Sequence, residues 1–84
     1  MTNKQKENIE RVILTYERKS DREDDRICKY EKEGNNEKVA KAIARQDIAD
    51  SAINAIQEVL NLIGYYVKWE VDSDYRRHPH ILEY

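Results

Sequence analysis

Residues 36–63, NEKVAKAIARQDIADSAINAIQEVLNLI, decide the fold. From Val39 to Ala44 a narrow apolar stripe (Val39, Ala42, Ile43) recurs at helical steps of three and four. From Ile48 onward the apolar set widens to Ile48, Ala49, Ala52, Ile53, Ala55, Ile56, Val59, Leu60, Leu62 and Ile63. At helical pitch these cover about half the cylinder, and Asp47, Asp50, Ser51, Asn54, Gln57, Glu58 and Asn61 cover the rest. A half-cylinder of small and branched side chains is wider than one neighbouring helix can cover. The stretch therefore predicts a core shared between subunits. We expect a homodimer with this helix near the symmetry axis and Ile48, Ala52, Ala55, Ile56, Val59 and Leu62 in the interface.

Upstream, Gly34-Asn35-Asn36 is the clearest punctuation in the chain. Glycine suits the left-handed position that follows a helix, and asparagine suits the next N-cap. The expected order is a first helix over about 3–33, a tight turn and a second helix over about 37–63. Thr2 and Gln5 have the spacing of a capping box at the start of the first helix. Ile9, Val12, Ile13 and Tyr16 mark its apolar face, which resumes in phase at Ile27 and Tyr30.

Between them, Glu17 to Arg26 holds no apolar residue, and Ser20 and Glu23 occupy the seam. One reading is a continuous helix with a solvated middle. The other is a break at Ser20, where Ser20-Asp21-Arg22-Glu23 also has capping-box spacing. The preserved phase favours continuity. In the antiparallel hairpin Tyr16 then lies near Ile53, Ile9 near Leu60, and the polar middle faces Gln46 and Ala49.

Downstream, Gly64 ends the second helix. Tyr65, Val67, Trp69 and Val71 alternate with Tyr66, Lys68, Glu70 and Asp72, the period of a strand. Asp72-Ser73-Asp74 reads as a turn, and a second short strand is expected at about His80 to Glu83. A lone ribbon is marginal in water, so it should lie on the helices or pair with a second copy. The fold class is mainly α: a single domain over 1–84, a long helical hairpin followed by a C-terminal β ribbon over about 65–84.

Composition agrees with a shared core. At 84 residues, 39% hydrophobic and 38% charged, the chain is thin in core-forming side chains. A chain of this size buries only about 60% of the surface its unfolded form exposes. Cys28, the single cysteine, cannot form an internal disulfide. Oligomerisation is the remaining way to add core. A polar start without an apolar leader and no long apolar run lead us to expect a cytoplasmic protein without membrane partners. A net charge of −2 gives no bulk attraction to nucleic acid.

Three constellations carry groups capable of chemistry. Asp21 and Asp24 on the first helix, and Asp47 and Asp50 on the second, are each spaced by three. This spacing resembles that of the all-α nucleotide pyrophosphatases, which bind magnesium through carboxylates on adjacent helices. The resemblance implies a magnesium-dependent nucleotide hydrolase with these four residues as ligands. It departs in using only Asp, which is shorter than the Glu that family favours. The plainer reading is a solvated charged face, and neither metal nor cofactor is expected.

The second constellation is Tyr75-Arg76-Arg77-His78-Pro79-His80, basic residues beside an aromatic that can hold phosphate. Its plainer reading is a surface loop. The third is Cys28, one position off the Ile27 stripe, read as a partly buried structural thiol. No glycine-rich phosphate loop and no nucleophile–base–acid set is visible.

The function expected from these observations is a small, non-enzymatic, oligomeric interaction or regulatory protein. Asp21, Asp24, Asp25, Tyr65, Tyr66 and Trp69 are the candidate contacts for a protein partner. Richness in Lys, Glu, Ile, Asn and Tyr is what AT-rich coding yields, so an inhibitor of a host protein carried by a phage or mobile element is the sharper version. The alternative, from another class, is an inter-subunit binder that sequesters a nucleotide or phosphorylated signal on Arg22, Arg26, Arg45, Arg76 and Arg77.

Overall fold

The computed structural model describes all 84 residues as α1 (Asn3–Lys32), α2 (Asn36–Leu62), β1 (Tyr65–Val71) and β2 (Arg77–Glu83). The molecule is elongated, 47 × 28 × 18 Å. α1 is unbroken through its polar middle, so the continuous reading holds and the Ser20 start signal is overridden. Its N-terminus carries the expected capping box. The Gln5 backbone N–H donates to Thr2 Oγ1 at 3.1 Å, and the Thr2 N–H donates to Gln5 Oε1 at 2.8 Å.

The hairpin turn is short because both of its caps are local. Gly34 has φ 70°, and the Asn35 N–H reaches back to the Tyr30 carbonyl at 3.0 Å, a Schellman closure that uses orphan carbonyls of α1. Asn35 then caps α2, its Oδ1 accepting from the Lys38 N–H at 3.1 Å. The second helix therefore starts one residue earlier than the sequence signal, with Asn35 rather than Asn36 as its cap.

The ribbon is an antiparallel pair in which Val67 faces Ile81 and Trp69 faces Pro79. β2 begins at Arg77 rather than about His80, so four of the six residues expected as a surface loop, Arg77 to His80, are strand. Its loop, Asp72 to Arg76, is held by one side chain. Asp72 Oδ1 accepts the N–H groups of Asp74 and Arg76 at 2.9 and 3.0 Å, while Oδ2 lies 2.7 Å from His78 Nε2. Pro79 is tolerated because a two-stranded sheet consists only of edges.

One face of the ribbon closes the core. Ile13, Ile53, Leu60 and Ile81 are buried together, and Ile9, Tyr16, Ile56, Tyr65, Val67 and Trp69 pack around them. β2 lies against α1 and β1 against α2. Glu10 on α1 fastens β2 by accepting the Ile81 N–H at 3.1 Å. On α2 the ribbon side carries Asn54, Gln57 and Asn61: the first two line a groove with Trp69, and Asn61 accepts the Tyr84 hydroxyl at 2.9 Å.

Candidate functional site

The ribbon covers one flank of the hairpin and leaves the other bare. On α2 the buried line runs Ala42, Ala49, Ile53 and Leu60. Turning the wheel away from Asn54 and Gln57 brings up Ile48, Ala52, Val59 and Ile63 at 100° per residue, with Ala55 and Leu62 beyond them. Ile48 is 69% exposed, Val59 59%, Leu62 85% and Ile63 57%. Ala55 is exposed, while Ala52 and Ile56 are half-buried, Ile56 against the edge of the core. Of the six residues expected at an interface, Ile48, Ala55, Val59 and Leu62 are exposed, whereas Ile56 belongs in part to the chain's own core. Val12, 48% exposed, and half-buried Tyr16 lie on the corresponding side of α1.

The second neighbourhood is the polar waist of α1. The expectation of a solvated middle is wrong, because Glu17, Ser20 and Glu23 are all buried. They are buried because α2 supplies alanine opposite them and long polar side chains beside them. Ala42 and Ala49 leave room at the seam, Gln46 Nε2 donates to the Ser20 carbonyl and to Asp24 Oδ1, and Arg45 Nε donates to Glu23 Oε1 at 3.1 Å. Arg26 reaches the same oxygen from one turn along α1. Glu23 Oε2 is buried without a hydrogen-bond donor.

Glu17 and Glu23 lie less than two turns apart on one helix and experience opposite fields. Burial pushes the Glu17 carboxyl up from its usual value, with Asp21 and Asp50 adding to the shift and Arg77, at 3.5 Å, opposing it. The hydrogen bond from Arg45 holds Glu23 below its usual value, and Arg26 reinforces it against the cost of burial.

These two residues mark two differently charged openings. On the ribbon flank, Glu17, Asp21, Asp24 and Asp50 line an open groove of about 680 Å³ beside Trp69 and Arg77, whose guanidinium lies 4.2 Å from the indole centre. On the bare flank, Lys19, Arg22, Arg26 and Arg45 ring a cavity of about 360 Å³ with Glu23, Tyr16, Ile48 and Ala49. Both are open and shallow rather than enclosed.

The candidate contacts are thus regrouped. Asp21, Asp24 and Trp69 meet in the acidic groove, whereas Asp25 lies beside Arg18, Arg22 and Arg76 in a separate depression. Tyr65, Tyr66 and Trp69 do not form one aromatic surface. Period two sends Tyr65 and Trp69 toward the helices and Tyr66 to the opposite side, where it packs on Tyr84 at 5.1 Å. Tyr65 instead ties both termini, its hydroxyl 3.1 Å from the N-terminal amine and 3.4 Å from Glu83. The five arginines also divide. Arg22, Arg26 and Arg45 share the basic cavity, Arg77 is committed to Glu17 and Trp69, and Arg76 lies near Arg18.

Asp47 does not line the acidic groove with Asp21, Asp24 and Asp50, and no three His, Cys, Asp or Glu side chains converge on a common point for a metal ion. The four-aspartate ligand set therefore does not fit. Cys28 is exposed, not half-buried, since one step off the Ile27 stripe turns a helical side chain by 100°. Each histidine faces a carboxylate of its own hairpin, His78 with Asp72 at 2.7 Å and His80 with Glu70 at 3.3 Å.

Sequence reasoning missed Glu10 and Lys19, and it assigned Arg77 to a phosphorylated ligand rather than to Glu17 and Trp69. Only the strand phase of Arg77, on the inward face with Pro79 and Ile81, could have marked it. No helix is long and apolar enough to cross a membrane. Comparison with family models, curated proteins and solved structures matches this chain to none of them.

Proposed function

We propose that this chain is a non-enzymatic interaction protein that works as a homodimer. The observation that carries the reading is the bare flank of α2, where Ile48, Val59, Leu62 and Ile63 are each more than half exposed in an 84-residue chain. From Ile48 to Ile63 the helix is ~22 Å long, and two helices side by side are roughly 20 Å wide. The face is therefore on the order of 400 Å² in projection, and contiguous apolar patches of that size mark interaction surfaces. Mass in solution tests this directly. The wild type should run at twice the chain mass and Val59→Lys at the chain mass; a monomeric wild type overturns the reading.

In the dimer the ribbon flank stays free to meet a protein partner. The acidic groove with Trp69 at its edge suits a cationic segment of that partner, because carboxylates beside an indole attract both charge and flat apolar surface. An inhibitor of a host protein, carried by a phage or mobile element, is the form of this function that composition favours. Affinity capture from a bacterial lysate should recover one stoichiometric protein that Asp21→Asn/Asp24→Asn loses. Recovery of the chain alone counts against it.

A second reading has one observation in its favour. Lys19, Arg22, Arg26 and Arg45 stand around a single cavity, and Glu23 Oε2 beneath them lacks a donor. A phosphorylated ligand bearing an N–H group would satisfy both. Thermal shifts with nucleotides should then be abolished by Arg45→Ala, and flat melting curves across the set dismiss the site.

A further inference from the structure

We propose that the bare flank is the seam of an antiparallel, two-fold dimer in which α2 lies against α2 of a second copy, with the axis passing beside Ala55. This rests on the self-association reading above and adds its geometry.

The spacing on α2 marks a second seam. Ile48, Ala52, Ala55, Val59 and Leu62 follow one another by four, three, four and three residues. That is the 3.5-residue repeat of a helix–helix seam, distinct from the buried line of Ala42, Ala49, Ile53 and Leu60 already used by α1 and the ribbon. The pattern is close to its own reverse. Inverted about Ala55, Ile48 falls on Leu62 and Ala52 comes within one residue of Val59. An isologous contact needs such self-complementarity, because each pairing occurs twice.

Side-chain size follows the same symmetry. Alanines at 52 and 55 let the two backbones approach most closely at the axis, and the larger Ile48 and Leu62 lie at the two ends, where crossing helices diverge.

Charge chooses the direction. Continued toward the N-terminus, the stripe runs from Ile48 into Arg45 and Lys41, with Lys19 and Arg26 beside Arg45 across the hairpin. A parallel pairing would set these basic ends against their own copies. In the antiparallel pairing the two Arg45 backbones stand ~30 Å apart along the helix. That separation exceeds the screening length of about 8 Å at physiological salt.

The size is sufficient. Covering the seam together with Val12 and Tyr16 would remove on the order of 600 Å² from each copy, toward the lower end of stable interfaces. The monomer has reason to need it, since only 10 of its 84 residues are buried.

The test uses single cysteines in a Cys28→Ser background, with mass in solution measured beforehand. Ala55→Cys should oxidise to a linked dimer in high yield, because the axis sets that position against itself. Ile48→Cys alone should give no linked dimer, and neither should Leu62→Cys alone. An equimolar mixture of Ile48→Cys and Leu62→Cys should link as the mixed species. A monomeric wild type overturns self-association itself. A dimer that links through Ile48→Cys alone keeps self-association and overturns the antiparallel register. A dimer in which none of these positions links overturns α2 as the seam.

Discussion

The two flanks of the hairpin are built by the same pair of helices and end in opposite states. On one flank the ribbon lays Tyr65, Val67, Trp69 and Ile81 over Ile13, Ile53 and Leu60, and the core closes there. On the other, Ile48, Val59 and Leu62 have no cover. The difference does not lie in hydrophobicity, since the bare flank of α2 is more apolar than the Asn54–Gln57–Asn61 side the ribbon chose. It lies in what the ribbon's inward face must accompany. Arg77, on that same face, needs Glu17, and the Ile81 N–H needs Glu10; both carboxylates lie on the ribbon flank of α1. Polar satisfaction selects the flank, and burial follows.

The largest expected effect tests that asymmetry in the core. Ile13→Ala, at a fully buried position, should cost about 2–5 kcal/mol in urea unfolding. Leu62→Ala should leave the isolated monomer within ~0.5 kcal/mol of wild type, because the removed atoms were already in water. Equal losses at a chain concentration low enough for both proteins to run as monomers would mean that the flanks do not differ.

Next is Trp69→Ala, which removes a half-buried anchor and the partner of the Arg77 guanidinium. It should cost roughly 2 kcal/mol and release the ribbon, seen as lost amide protection in β1 and β2 before the helices open. Uniform loss of protection would show the ribbon and hairpin to be one cooperative unit.

A smaller effect separates the two buried glutamates. At neutral pH Glu23→Gln should lower the melting midpoint, since it strips the acceptor of Arg26 and Arg45. Glu17→Gln should leave the midpoint unchanged or raised, since the ionised form of that carboxyl is the one burial disfavours. The pH trend has a definite sign. The native carboxyl of Glu17 binds its proton more tightly than the unfolded one, so this residue adds stability as pH falls through its raised value toward 4.5. Identical responses of the two variants would show that the waist is screened by water.

The smallest effect is at the ribbon turn. His78 and two backbone N–H groups hold Asp72 at about 2, below its ordinary 3.8. Its contribution is complete above 3.8 and disappears as pH falls toward 2, so Asp72→Asn should flatten the acid limb of the stability curve. An unchanged acid limb would remove Asp72 from the account of the turn.

Much of this fold was legible because its signals are local. Thr2 with Gln5, Gly34 with Asn35, and the alternation from Tyr65 to Val71 each specify a cap, a turn or a strand through neighbours a few residues away. The candidate contacts were less legible because each had to be assigned a side. Tyr65, Tyr66 and Trp69 read as partner contacts, and the docked ribbon turns Tyr65 and Trp69 toward the core instead. Arg77 read as a contact for a phosphorylated ligand, whereas the docked ribbon sets it on Glu17. The waist was misread for a related reason: Ser20 and Glu23 look solvated when Arg45 and Gln46 are not known to reach them.

The sequence by itself determined two helices, their hairpin, the ribbon and an apolar face on the second helix too wide for one neighbour. Those features follow from side-chain periodicity and backbone caps, which act over a turn or less. Only the tertiary structure decided which flank the ribbon would take, and so which apolar side chains remain in water. That choice depends on Glu10 and Glu17 meeting groups sixty or more residues away in the chain. Hydrogen bonds and charges of that range have no periodicity for a sequence to display.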